Sequence, residues 1–254
     1  MREAAAARRA RLVCLPHAGG AAGIYRSWSA ALAPDIEVVP VELAGRDGRV
    51  REPPLWDMDA LVADVAQRLA GLDDGQDPVP YALFGHSLGA IVAYETAREM
   101  QRRGRAPAIV IASGSEPPHR VAENSRDRHL LPDDAFLREV LRLGGTSADV
   151  LREPELLRVV LPRLRADYSV AETYVHRRGA LLTCPLAVYV GDADPTVRHD
   201  LLTDWAQVSS GHGQPVASRR FPGGHFYLDD ARADVLPTIG KDLDTALRVR
   251  REAP

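Results

Sequence analysis

The stretch "YALFGHSLGA", Tyr81 to Ala90, runs from a short apolar segment into small residues grouped about one serine. Gly85 and Gly89 stand symmetrically about Ser87, and "LGAIVAYETAREMQRR" (88–103) continues with helical spacing. Packing alone rarely requires glycine on both sides of a serine. A G-x-S-x-G motif between a predicted strand and a predicted helix marks a turn so sharp that it lifts the serine hydroxyl above a sheet. Bulky side chains at 85 and 89 would clash there. A helix opening at Leu88 also turns its first backbone N–H groups toward negative charge forming near Ser87. The pattern predicts a nucleophilic serine.

The flanks of this turn set the fold class. Apolar runs bounded by Gly or Pro recur at "RLVCLP" (11–16), "IEVVPVEL" (36–43), "YALFG" (81–85), "AIVIASG" (108–114) and "LAVYVG" (186–191), with a weaker one at "ASRRFPGG" (217–224). Their near-continuous apolarity suits strands covered on both faces. Helical patterns at 57–71 and 88–103 alternate with them; the first opens near Asp57 and Asp59 and the second ends at Gly104. This alternation predicts an α/β protein with a doubly wound, mostly parallel sheet. Residues 117–178 break the rhythm. Phe136, Leu137, Val140 and Leu141 share one helical face, and Leu157, Leu161, Leu164, Tyr168 and Ala171 recur at helical steps. Pro162 is expected to kink or divide the second segment. Such a block is either extra core or a helical lid over the sheet's C-terminal edge, where ligands bind in open α/β sheets; the lid is the favoured reading.

The 254 residues suffice for one domain spanning 1–254, with 1–10 expected as a flexible tail. A net charge of −3 excludes a field built to hold nucleic acid as an obligatory partner. No apolar run approaches membrane-spanning length, and the N-terminus lacks a signal-peptide core, so the chain is expected in the cytoplasm. Cys14 and Cys184, the two cysteines, lie in apolar segments and read as buried thiols. No Cys or His spacing suggests a metal.

A serine hydroxyl needs a base to take its proton as it attacks. Of eight histidines, His225 in "FPGGHFYL" follows a short strand on a loop freed by two glycines. His119, His129, His176, His199 and His212 lie in polar stretches and are expected to be solvated, while His86 is expected to point away from its neighbour Ser87. An acid should orient the base. "GDADPTV" ends a strand ahead of His225 and offers Asp192 and Asp194, of which Asp194 is preferred. Two N–H donors should face the oxyanion: Leu88, after the nucleophile, and Ala18, in the loop "LPHAGGAAGIY" that follows the first strand, with His17 packed beside it. That loop matches neither G-x-G-x-x-G nor a P-loop with its lysine, which speaks against a phosphate cradle.

With these residues in place the chain resembles the type II thioesterases of polyketide and nonribosomal peptide synthetase systems, a branch of the α/β-hydrolases. "CLPHAGGAAGIYRSW", "ELAGRDGR", "GHSLGA", "LPDDAFLREVLRLGGT" with "LPRLRADYSVAETY", "GDADPTV" and "GGHFYL" carry the likeness in order along nearly the whole chain. Ala44 stands where the family commonly has proline. The resemblance implies an α/β-hydrolase fold with a helical lid over 117–178 and hydrolysis of acyl groups held on the phosphopantetheine arm of a carrier protein. It implies no cofactor or metal, and a monomer whose partners are acyl or peptidyl carrier domains. Carrier proteins are usually acidic, so Arg46, Arg49 and Arg51, or Arg177 and Arg178, are docking candidates. An esterase or lactonase acting on free small molecules, a chain-releasing thioesterase, and a non-catalytic binder on the same fold are the alternatives.

Overall fold

In a computed structural model of the chain, residues 9–72, 79–124, 126–145, 153–211 and 215–252 are described. The expected strands all form: β1 (Ala10–Leu15), β2 (Ile36–Pro40), β3 (Tyr81–His86), β4 (Val110–Ser113), β5 (Leu186–Gly191) and β6 (Ala217–Phe221). They make one sheet in the order β2-β1-β3-β4-β5-β6, with every pairing parallel. β2 stops at Pro40, short of the expected 43. The tail expected over 1–10 does not include 9 and 10: the amides of Arg9 and Ala10 both donate to the Asp35 carbonyl, and Ala10 is fully buried. Residues 1–8 lie outside the described part.

Continuous apolarity has its reason in the two faces. Val13 and Leu15 of β1 pack into one core with α2 (Met58–Ala70) and α3 (Leu88–Arg102). Leu12 and Cys14 of the same strand pack into the other, with α1 (Trp28–Leu32) and the C-terminal helix. Alternate residues therefore face opposite cores, and both must be apolar. Helix α2 is capped where expected: Asp57 accepts the Ala60 amide at 2.8 Å. Both cysteines are buried and free.

No strand falls among the described residues of 117–178. That segment forms α4 (Asp133–Leu143) and α5 (Pro154–Thr173) with two short 3₁₀ turns before them. Phe136 and Val140 of α4 meet Val160 and Leu164 of α5 in a small core separate from the two flanking the sheet. Helix α5 runs through Pro162 and is not divided there. Pro162 is exposed, so the carbonyl that loses its intrahelical donor can be hydrated. After β6 come the one-turn helix α6 (Tyr227–Asp230) and the long α7 (Arg232–Glu252), an element not expected from the sequence. Val235, Leu236, Ile239, Leu243 and Ala246 of α7 cover the second face of the sheet. Their three- and four-residue steps are a legible helical signal.

The strand order reverses between β1 and β3: the chain leaves β1 to one side for β2, then returns to the other side for β3. The loops after β1 and β3 therefore diverge from neighbouring strand ends, with Leu15 opposite Gly85. Such a switch point is where an open α/β sheet offers a cleft. Two glycines make the approach close enough. A Cβ on Gly85 would lie 1.9 Å from the Gly89 carbonyl oxygen, and one on Gly89 would lie 2.3 Å from the Leu15 oxygen. Gly89→Ala should destabilise the protein by about 3 kcal/mol, since the obstacle is backbone that cannot repack. Gly240→Ala in α7, where an added Cβ meets nothing within 4 Å, should instead stabilise it by about 0.5–1 kcal/mol. Urea denaturation of the two variants checks the opposite signs.

Candidate active site

Ser87 occupies the turn between β3 and α3 with φ 56° and ψ −118°, a conformation that non-glycine residues rarely adopt. Its amide is held by the Ser113 carbonyl at 2.8 Å, so the end of β4 braces the turn. Ser87 lines a cavity of about 530 Å³ whose walls also include His17, Ala18, Leu88, Thr196, His225 and Phe226.

His225 follows β6, and its Nδ1 lies 2.8 Å from Asp194 Oδ2. Asp194 is buried at the turn after β5; its other oxygen, Oδ1, accepts the Thr196 amide at 2.8 Å and the Thr196 hydroxyl at 2.7 Å. Burial works to raise the Asp194 pKa, but the bonds from His225 and Thr196 outweigh it and hold the carboxyl below its ordinary range. Asp192, the other acid considered, is exposed and accepts the Gly223 amide at 3.0 Å. The two loops meet because Gly191 lacks a side chain: a Cβ there would sit 2.2 Å from the Gly224 oxygen.

Thr196 was not anticipated from sequence, yet it determines the tautomer of the ring. Its Oγ1 gives its proton to Asp194 and lies 2.9 Å from His225 Nδ1, to which it can present only a lone pair. With Asp194 Oδ2 on the same nitrogen, Nδ1 must carry the hydrogen, and Nε2 is left as the free base. Ser87 and His225 line the same cavity, and among the described residues no hydrogen bond joins them. Such contacts commonly tighten only when substrate arrives.

Ala18 and Leu88 also line the cavity, and neither amide has a protein acceptor among the described residues. They come from the loops after β1 and β3, on either side of the switch point. Both are therefore open to an anion placed above Ser87.

Several of the histidines expected to be solvated have bonded or buried rings, and the others are placed as follows. His86 points into the protein: it is buried, its Nδ1 lies 2.9 Å from Ser113 Oγ, and its ring centroid is 4.9 Å from that of His225. Gly114 makes the space, since a Cβ there would fall 2.6 Å from His86 Cε1. Burial, then the nearby His225 and His17, push the His86 pKa well below its ordinary value. His17 packs edge-on against Phe226 at 5.0 Å; burial first, and His225 second, push its pKa down to about 4. Two neutral imidazoles thus flank His225 and set no fixed positive charge against it. His129 bonds Glu172 and His176 meets the Tyr94 hydroxyl, so neither is simply solvated. Both ring nitrogens of His119 are buried without a partner among the described residues. His212 lies outside the described residues.

Of the arginines considered for docking, two are removed from that role. Arg46 is buried against Asp167 of α5, and Arg49 is tied to Glu52 and Asp64. Arg51, Arg177 and Arg178 are exposed.

Sheet order and loop placement together put the chain among the α/β-hydrolases, in which a serine on a strand-to-helix turn meets groups from later strand ends. The family described as "Thioesterase domain" matches residues 10–243. Thioesterase PikA5 of Streptomyces venezuelae is 42% identical over 245 residues, covering 96% of this chain and 83% of that protein. Among solved structures, ClbQ from the colibactin NRPS/PKS pathway superposes with a TM-score of 0.86 at 35% identity, covering 95% of this chain and 99% of the other. The type II thioesterase BorB from the borrelidin biosynthetic cluster gives 0.81 at 37% identity, covering 95% of each. The chain belongs to the thioesterase family, and its activity is thioester hydrolysis.

The depressed histidines carry a stability consequence. Folded His17 and His86 resist a proton that the unfolded chain accepts near pH 6.5, so the unfolded state binds more protons as pH falls. Their contribution to stability is complete above about pH 6.5 and is lost progressively toward pH 4. Melting temperature should therefore fall across that window. In His17→Asn the fall should be shallower, which a series of buffered thermal melts would read directly.

Proposed function

We propose that this chain removes acyl groups from the phosphopantetheine arm of carrier proteins in a polyketide or nonribosomal peptide pathway, clearing stalled or mis-loaded chains. Ser87 is the nucleophile, His225 the base and Asp194 the acid that orients it; the amides of Leu88 and Ala18 hold the oxyanion. The single observation that carries the reading is the His225–Asp194 bond of 2.8 Å, made by a ring that shares a cavity with the strained Ser87. Likeness to a type II thioesterase of a biosynthetic cluster supports the choice of substrate class.

In this reading Ser87 Oγ attacks the thioester carbonyl while His225 Nε2 takes the hydroxyl proton. Asp194 stabilises the imidazolium that results. Charge accumulates on the carbonyl oxygen, where the two amides meet it. When the intermediate collapses, His225 returns the proton to the departing thiol and the acyl group remains on Ser87. Water, deprotonated by the same nitrogen, then releases the acid and restores the serine. Neither a cofactor nor a metal takes part. The apolar walls from Met58, Ile91, Val121, Val140 and Leu143 receive the acyl chain. An acidic carrier docks on exposed arginines, of which Arg51 and Arg178 remain available, while Arg177 is exposed but paired with Asp59. The enzyme works as a cytoplasmic monomer.

Ser87→Ala should fold normally and lose roughly two to six orders of magnitude in kcat. Asp194→Asn should lose on the order of 10³- to 10⁴-fold, as expected when the base is left in the wrong tautomer. Asp192→Asn keeps an acceptor for Gly223 and should stay within about 3-fold of the parent, so equal effects at 192 and 194 would remove Asp194 from the reading. The substrate class is tested by intact-mass measurement on a panel of acylated carrier proteins. A kcat/KM higher on p-nitrophenyl esters than on every acylated carrier would favour an esterase of free small molecules.

A further inference from the structure

The loop that carries Ala18 is held from outside by a buried ion pair, and half of that pair belongs to α5. Asp167 Oδ2 accepts the Gly19 amide at 2.6 Å, and its Oδ1 accepts Arg46 Nη2 at 2.7 Å. Arg46 Nη1 then donates to the Gly20 carbonyl at 2.8 Å. The turn is closed internally by the Gly20 amide on the His17 carbonyl at 2.8 Å. The peptide planes on both sides of Gly19 and Gly20 are therefore fixed, and the adjoining Ala18 amide is left unbonded toward the cavity. A side chain is also refused here: a Cβ on Gly20 would meet His17 and Pro16 at 3.0 Å.

The position of Asp167 along α5 gives this contact its meaning. Val160 and Leu164, N-terminal to it, belong to the separate core shared with α4. Val170 and, just beyond the helix, Tyr174 belong to the main core against the sheet. Asp167 stands where the helix passes from one to the other. Its side chain is 4% exposed and that of Arg46 2%. A buried ion pair is seldom the most stable filling for such a site, because well-packed apolar residues often do as well or better. Its geometry is directed at two backbone groups of the loop.

We propose that Asp167 is a positioning residue: with Arg46 it sets the Ala18 amide for the oxyanion only while α5 is seated, so that lid closure and assembly of the oxyanion site are one event. The proposal rests on the catalytic reading above, with Ser87 as nucleophile and Ala18 as donor. It assigns the Gly-Arg segment "AGRDGR" (44–49) a mechanical task, since Asp47 of the same segment also accepts the Ala22 amide at 2.9 Å.

The test uses the full chain, an acyl N-acetylcysteamine thioester as substrate, and butylboronic acid as a probe that forms a tetrahedral adduct on the serine. Asp167→Ala should lower kcat by about 10- to 100-fold, the range for a weakened oxyanion donor, with KM changed by less than about 3-fold. The boronate inhibition constant should rise at least about 10-fold, and amide exchange across residues 17–23 should accelerate. Asp167→Asn keeps an oxygen for Gly19 but loses the ion pair and should fall between Asp167→Ala and the parent. Arg158→Ala, on the exposed side of α5, should change none of these. A kcat and boronate affinity within 2-fold of the parent would overturn the proposal, as would a drop in kcat with boronate affinity unchanged, or a rise in KM alone. If Asp167→Ala does not fold, Asp167→Asn decides by the same readouts. Failure of the catalytic reading would appear separately, as hydrolysis retained by Ser87→Ala whatever happens at 167.

Discussion

Backbone contact between two glycines and the end of β1 is the constraint on which the rest of this structure depends. Gly85 lets the first turn of α3 fold back onto β3, and Gly89 lets that turn press on the carbonyls of Leu15 and Pro16. No side chain fits in either place. Ser87 is consequently forced to a positive φ, a strain of about 1–3 kcal/mol that a six-stranded sheet can hold. The same contact brings the loops after β1 and β3 to one point, and the two free amides come from those loops. A lone glycine-rich turn could strain a serine, but only adjacent strand ends at a switch point can also bring a second donor from a separate loop.

A second pair of glycine contacts repeats the device for Asp194 and His225. Gly191 admits the Gly224 carbonyl, and the loops after β5 and β6 are thereby locked side by side. The bond between His225 and Asp194 then follows from loop geometry, and Thr196 removes the remaining ambiguity about which nitrogen is protonated. The nearby buried histidines, His17 and His86, stay neutral. The ring proposed to gain and lose a proton is thus the one with a carboxylate partner, while its neighbours are held uncharged by desolvation.

What could be read from sequence was whatever leaves a local trace. Period, bounding glycines and the spacing about Ser87 disclose strands, turn and helix because each depends on neighbours along the chain. Ser87, Asp194 and His225 could be nominated because each sits just after a strand. Contacts that join distant segments leave no such trace. Arg46 looked like one surface cation among 31 arginines, because nothing near it foretells Asp167, which lies 121 residues later. His86 was expected only to point away from Ser87, and the interior space it occupies depends on Gly114 having no side chain. Pro162 was expected to kink or divide a helix, and its exposure to water made the lost hydrogen bond tolerable. Helix α7 is a different case: its apolar steps are visible in the sequence, although Pro237 lies within them.

The division of apolar surface between lid and body bears on how the site can open. Had α4 and α5 packed wholly into the main core, lifting them would expose that core and be as unfavourable as partial unfolding. Instead Phe136, Val140, Val160 and Leu164 satisfy one another, and that cluster can move without breaking its own contacts. Near Asp167 it is tied to the body by directional, polar bonds, beside the apolar contacts of Val170 and Tyr174 farther along. Apolar contact weakens gradually with displacement, whereas hydrogen bonds at 2.6–2.8 Å are lost within a short travel. In the proposed reading, a tie that is either made or lost suits an enzyme that admits an acyl chain before water hydrolyses it.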